Sequence, residues 1–279
     1  MLENGGILVL PNTPLLGEAD LSFLASARQV KSKFHKNISF KPRLNRLTGF
    51  DRASAERTRM QALMHKYSLL ATELMGQLLG PYRRQWQLDF ASFRPLAEQG
   101  RTEATRYRND LLHIDAFPTR PTNGARILRV FTNANSSQPR VWTTTVSFKE
   151  IAGRFALEAG LKRIADTTPA RRRALRLAAP LFRLANSAFA DRSPYDRFML
   201  KLHDFLKRNS VFQQQTPKLR VEFAPGATWI AFTDMVAHAV ESGQFALEHT
   251  YIVPLGAMMV RDQAPLTILE KLCGKVLTN

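Results

Sequence analysis

The sequence predicts an α+β fold built on a jelly-roll core, and three observations carry that expectation. Two groups of strand-like runs, at residues 126–144 and 218–254, are rich in β-branched and aromatic residues and bounded by Gly, Pro and Asn. Ahead of them and between them, apolar residues recur at three- and four-residue spacing, the period of helices. A His-x-Asp pair, His113 and Asp115, precedes the first group, and a late histidine, His238, follows an apolar run in the second. That order is expected when a jelly roll brings its first and last strands together.

At 279 residues and 44% hydrophobic, the chain can bury a large core, so residues 1–279 read as a single domain. No apolar run reaches the roughly 18 residues that span a bilayer. Residues 1–16 have no basic region ahead of their apolar residues, which argues against a secretory signal. One cysteine, Cys273, excludes an intramolecular disulfide and fits a reducing compartment; it reads as a small apolar residue of a C-terminal helix. Forty Lys and Arg against 23 acids, net +17, call for a polyanionic partner: nucleic acid, an anionic membrane surface or a phosphorylated substrate.

Residues 1–100 form a helical and extended support region in this reading. Residues 17–30 suggest a short helix, and residues 31–46 are basic and extended, with a strand-like alternation over 37–40 and a surface histidine, His35. Ser54 is placed to cap a helix running to Leu79, with Glu56 in its first turn. Its apolar stripe is Met60, Leu63, Met64, Tyr67, Leu70, Leu74 and Leu78, ended by Gly80-Pro81. His65 lies beside that stripe and is not a ligand candidate.

His113 and Asp115 are two apart, so on an extended segment both side chains leave the same face. With a distant histidine they make the two-histidine, one-carboxylate set that holds iron(II) with open positions. His238 is the preferred third member, read as ending a strand ahead of a turn at Gly243. His249, in the strand 246–254, competes with it, and Arg261 downstream would then suit a cosubstrate. In the strand 126–133, Arg126 and Arg129 interrupt an apolar run, where a charge is costly unless paired. A guanidinium matches a carboxylate bidentately, but alternation lets at most one of the two face a pocket; the other reading puts one in solvent at a sheet edge.

Residues 149–209 change to a helical pattern, a basic insertion between strands of one β core. After Thr168-Pro169, Arg171, Arg172, Arg173, Arg176 and Arg183 interleave with Leu175, Ala179, Phe182, Ala185 and Phe189, and Pro180 should kink the helix. Such a helix suits an anionic membrane surface or a solvated charged face equally. A second helix covers 195–207, with His203 structural within it. Strands return at 218–223, 228–232 and 246–254.

Three stretches together resemble the Kdo hydroxylase family: His113-Ile114-Asp115-Ala116-Phe117-Pro118, Arg126-Ile127-Leu128-Arg129-Val130-Phe131-Thr132-Asn133, and Trp229 to His238 with Ser242-Gly243-Gln244-Phe245. That family comprises iron(II)- and 2-oxoglutarate-dependent dioxygenases acting on the Kdo sugar of Kdo-lipid A in Gram-negative bacteria. The resemblance covers nearly the whole chain. It implies a double-stranded β-helix (cupin-like) core and His113, Asp115 and His238 as catalytic iron ligands. It also implies 2-oxoglutarate and dioxygen as cosubstrates, and hydroxylation of Kdo at carbon 3 to give Ko. Many members of the wider superfamily carry a cosubstrate-binding arginine shortly after the distal histidine. Here that stretch holds Glu248 and His249, which turns attention to Arg126 or Arg129.

The implied partners are an anionic glycolipid and, through the basic patch, the cytoplasmic face of the inner membrane, with no nucleic acid. The positive charge suits Kdo carboxylates and lipid A phosphates. Two other readings start from the same residues. A nucleic-acid demethylase on the same core would bind DNA or RNA in a salt-sensitive way. A non-catalytic β-barrel binding anionic lipids would be indifferent to loss of His113.

Overall fold

The strand-forming runs build one large antiparallel sheet with a small sheet facing it. The structure, a computed structural model, describes residues 1–27, 37–97, 104–167 and 192–278. Seven strands make the large sheet: β1 (Leu8–Leu10), β2 (Ile38–Lys41), β3 (Arg46–Thr48), β4 (Gln87–Arg94), β5 (Arg126–Asn133), β8 (Thr228–Phe232) and β10 (Ala246–Val253). Their order is β1-β8-β5-β10-β4-β2-β3. The small sheet, in the order β7-β6-β9, contains β6 (Arg140–Thr144), β7 (Leu219–Phe223) and β9 (His238–Ser242). All pairings are antiparallel, as a jelly roll requires.

Aromatic side chains fill the space between the sheets. Phe131 of β5 and Trp229 of β8 meet Trp142 of β6 and Phe223 of β7, with ring centroids 3.9 to 5.5 Å apart. The opposite face of the large sheet is covered by α2 (Arg57–Leu78), which buries Met60, Leu63, Met64, Tyr67, Ala71 and Met75. Strands β5 and β8 are therefore buried along their whole length. That is why they read as nearly continuous apolar runs and not as an alternation.

Two expectations for α2 change. The helix begins at Arg57, and Ser54 belongs to the turn before it, accepting the Glu56 N–H at 3.2 Å through its hydroxyl. The buried face also passes from Leu70, Leu74 and Leu78 to Ala71 and Met75, and Leu78 is exposed. A spacing of four outruns the 3.6-residue turn, so a stripe continued at that interval rotates off the contact face.

Between β6 and β7, which are neighbours in the small sheet, lie α3 (Phe148–Phe155), α4 (Leu161–Ala165), α5 (Pro194–Arg208) and α6 (Ser210–Gln215). Ser193 caps α5 by accepting the Asp196 N–H, with Pro194 at the first helical position. The remaining α-helices among the described residues are α1 (Glu18–Ser26) and α7 (Pro265–Cys273). His35 and the arginine-rich run from Thr168 to Phe189 lie outside the described residues.

Candidate metal centre

A turn over residues 233–237 separates β8 from β9, so His238 opens β9 and does not end the preceding strand. The early motif runs antiparallel beside it. Val240 N–H donates to Asn109 O (2.7 Å), His113 and His238 exchange both backbone bonds (3.1 and 2.9 Å), and Asp115 N–H donates to Thr233 O (2.7 Å). The His-x-Asp segment is thus an added edge of the small sheet. A single bridge is its only formal strand pairing, yet it is extended enough to keep both side chains on one face.

His113, Asp115 and His238 each offer a ligand atom, all within 4.8 Å of one another. All three residues are buried. His113 Nδ1 donates to Leu111 O (2.7 Å) and His238 Nδ1 to Val236 O (2.8 Å), so each ring turns Nε2 to the centre. His113 Nε2 lies 3.7 Å from Asp115 Oδ1. Burial, then the neighbouring His238, Lys207 and His203, push the His113 imidazole well below its usual range. Burial also lowers His238, against the pull of Asp115. Burial would raise the Asp115 carboxyl, but Arg129 and the two imidazoles outweigh it and hold the carboxyl well below the usual carboxylate range. Two neutral imidazole lone pairs and one carboxylate are the donor set a divalent first-row metal needs.

Asp115 is itself held from behind. Arg129 Nη1 donates to Asp115 Oδ2 (2.6 Å) and Arg129 Nη2 pairs with Glu248 Oε1 (2.6 Å). Arg94 Nε donates to the other Glu248 oxygen at 2.8 Å. The chain Asp115–Arg129–Glu248–Arg94 leaves Oδ1 to the metal position and fixes the carboxylate plane. Arg94, Arg129 and Arg140 then line one cavity with His113, Asp115 and His238, beside Asn109, Phe131, Trp142 and Val240. Trp142 stacks on His238 with centroids 4.7 Å apart.

Arg126 is elsewhere. Three positions from Arg129, it faces the other side of β5, where it is fully buried in a paired bridge to Asp234 (2.8 and 3.2 Å) and lies over the Phe232 ring. His249 is also on the helix side, bonded to Ser68 of α2 (2.7 Å) and stacked on Tyr251. It is no part of the centre, and Arg261, the cosubstrate candidate tied to it, bonds Gly256 O near the surface. Sequence reasoning passed over Arg94 and Arg140. Arg140 opens β6 after the polar stretch Ser136–Pro139, so unlike Arg129 it interrupts no apolar run, yet it is as deeply buried.

Comparison with known proteins agrees with this geometry over the full chain. The family model for 3-deoxy-D-manno-oct-2-ulosonic acid (Kdo) hydroxylase matches residues 1–276. The apo structure of the Kdo hydroxylase KdoO, a non-haem Fe(II) α-ketoglutarate-dependent dioxygenase, is 34% identical with TM-score 0.85, covering 99% of this chain and 89% of that one. KdoO with α-ketoglutarate and Fe(III) is 33% identical with TM-score 0.83 over 99% and 89%. KdoO with cobalt(II) is 34% identical with TM-score 0.85 over 100% and 89%. No curated protein matches the sequence. With a family match from end to end and a jelly roll that gathers two histidines and an aspartate onto one face, the chain belongs to the Kdo hydroxylase family.

Proposed function

We propose that this chain hydroxylates the Kdo sugar of Kdo-lipid A at carbon 3, giving Ko, with iron(II), 2-oxoglutarate and dioxygen. The observation that carries the reading is the buried His113–Asp115–His238 set opening onto an arginine-lined cavity, in a chain alike to KdoO throughout. His113, Asp115 and His238 would hold the iron. When bound, the iron with 2-oxoglutarate supplies oxidative decarboxylation and delivers one oxygen atom of dioxygen to a C–H bond, leaving succinate and CO2.

The chain's own residues do the rest. The backbone carbonyls of Leu111 and Val236 fix the imidazole tautomers, and Arg129 fixes the Asp115 carboxylate. Arg129 already serves Asp115 and Glu248 through its two Nη groups; with Arg94 and Arg140 on the same wall it would make the cavity electropositive toward the carboxylates of 2-oxoglutarate and Kdo. Phe131, Trp142 and Val240, beside Asn109, add apolar surface to that wall and would limit water there. The excess of positive charge supports work on an anionic lipid at a membrane surface. Among the described residues no helix is long and apolar enough to cross a membrane.

The test is a reaction with Kdo-lipid A, iron(II) and 2-oxoglutarate in air, read by mass spectrometry and succinate release. Gain of one oxygen on Kdo, matched by succinate and lost in Asp115→Ala, is expected. Succinate release with no oxygen added to any Kdo-bearing lipid would move the substrate elsewhere.

A further inference from the structure

The edge of the His-x-Asp segment that faces away from β9 is bonded by side chains. Asn109, His113 and Asp115 use their backbone groups toward β9 and the turn before it. Leu112 and Ile114 point theirs the other way, where a strand at the rim of a sheet leaves donors and acceptors open. The helical insertion meets them. Gln213 of α6 accepts the Leu112 N–H (3.1 Å) and donates to Leu112 O (2.9 Å), while also donating to Leu206 O of α5 (2.8 Å). His203 of α5 donates Nδ1–H to Ile114 O (2.7 Å) and sets its ring edge-on to His113, centroids 5.0 Å apart. The Gln213 carboxamide therefore gives Leu112 the donor and acceptor that a neighbouring strand would supply.

We propose that Gln213 and His203 are positioning residues for the metal centre, a surrogate strand that fixes the pitch of the segment carrying His113 and Asp115. Ile114 stands between the two ligands, so the direction of its carbonyl is tied to the direction in which both side chains leave the backbone. Through these two residues the placement of α5 and α6 becomes a determinant of metal affinity. The proposal rests on the reading that His113, Asp115 and His238 hold a divalent ion.

The experiment is a cobalt(II) titration of the full chain, followed by visible d–d absorption, in wild type, His203→Leu, His203→Asn and Gln213→Leu. Asparagine places an N–H where His203 has Nδ1, and leucine has nearly the same size without it. His203→Asn should bind cobalt about as wild type does. His203→Leu and Gln213→Leu should bind about tenfold to 100-fold more weakly, the range for partners that orient metal ligands. Wild-type affinity in both leucine variants would overturn the proposal. Equal loss in His203→Leu and His203→Asn would also overturn it for His203, assigning the effect to ring packing on His113. A wild type that takes up no cobalt would instead bring down the metal centre itself. Amide exchange of wild type needs no variant to fold: the Leu112 N–H, with only Gln213 as acceptor, should be protected, and fast exchange there contradicts the surrogate strand.

Discussion

Arg126 and Arg129 are both buried arginines of one strand, yet they stand on opposite faces with different duties. Arg126 neutralises Asp234 on the helix side, and Arg129 braces Asp115 and Glu248 beside the metal position. Removing either leaves a buried carboxylate uncompensated, at about 3–5 kcal/mol. Arg126→Met should therefore lower stability in urea unfolding by that order while keeping cobalt affinity. Arg129→Met should lower both. Equal cobalt affinity in the two variants would contradict the division of roles. The sequence made the opposition legible, since three positions along a strand reverse the face. It left open which face is which, because β5 is buried from end to end and carries no polar alternation to mark a side. The choice between His238 and His249 had the same origin: both occupy buried strands, and only the Ser68 partner from α2 marks His249 as a core residue.

At the scale of elements, β5 was legible to the residue because turn-forming stretches bound it, Pro121–Gly124 ahead and Ala134–Pro139 after, whereas the strand read over 138–148 is only Arg140–Thr144, since Ser147 caps α3 from Phe148. The start of β9 was not legible. The turn over 233–237 contains neither Gly nor Pro, so 228–240 reads as a strand or a pair of strands with nothing to mark where a second would begin. The next turn is marked. Gly243 has φ +105°, and a Cβ there would stand 2.9 Å from Arg140 Cα. Gly243→Ala should cost about 1–3 kcal/mol of stability, measured by denaturant unfolding. It should also disturb Arg140, which donates to Gly243 O at 3.1 Å on the edge of the cavity. An alanine variant of wild-type stability would mean that this turn carries no such strain.

For the molecule as a whole, acid is the predicted weakness. Burial lowers the pKa of His113, His203, His238 and His249, the last to about 4. Once unfolded, each takes up a proton below about pH 6.5, so unfolding binds protons and stability falls as pH drops. The contribution is complete above that value and is lost at up to about 1.4 kcal/mol per pH unit for each histidine. For His249 the loss continues down to about pH 4. Unfolding of the apo protein across this range should show the slope, and His249→Leu should flatten it without touching cobalt affinity. A stability that holds constant from neutral pH to about pH 5 would rule this out.

The same whole-molecule logic makes the jelly roll meaningful: it sets the segment carrying His113 and Asp115 beside the start of β9, which carries His238. An anaerobic titration of the purified chain with iron(II) and 2-oxoglutarate, in wild type and His238→Ala, tests that juxtaposition most directly. Wild type should show the weak visible charge-transfer band of an iron(II)–2-oxoglutarate complex, and the variant should lose it. A wild type that binds no iron and shows no band, or a variant that keeps the band, would contradict this reading.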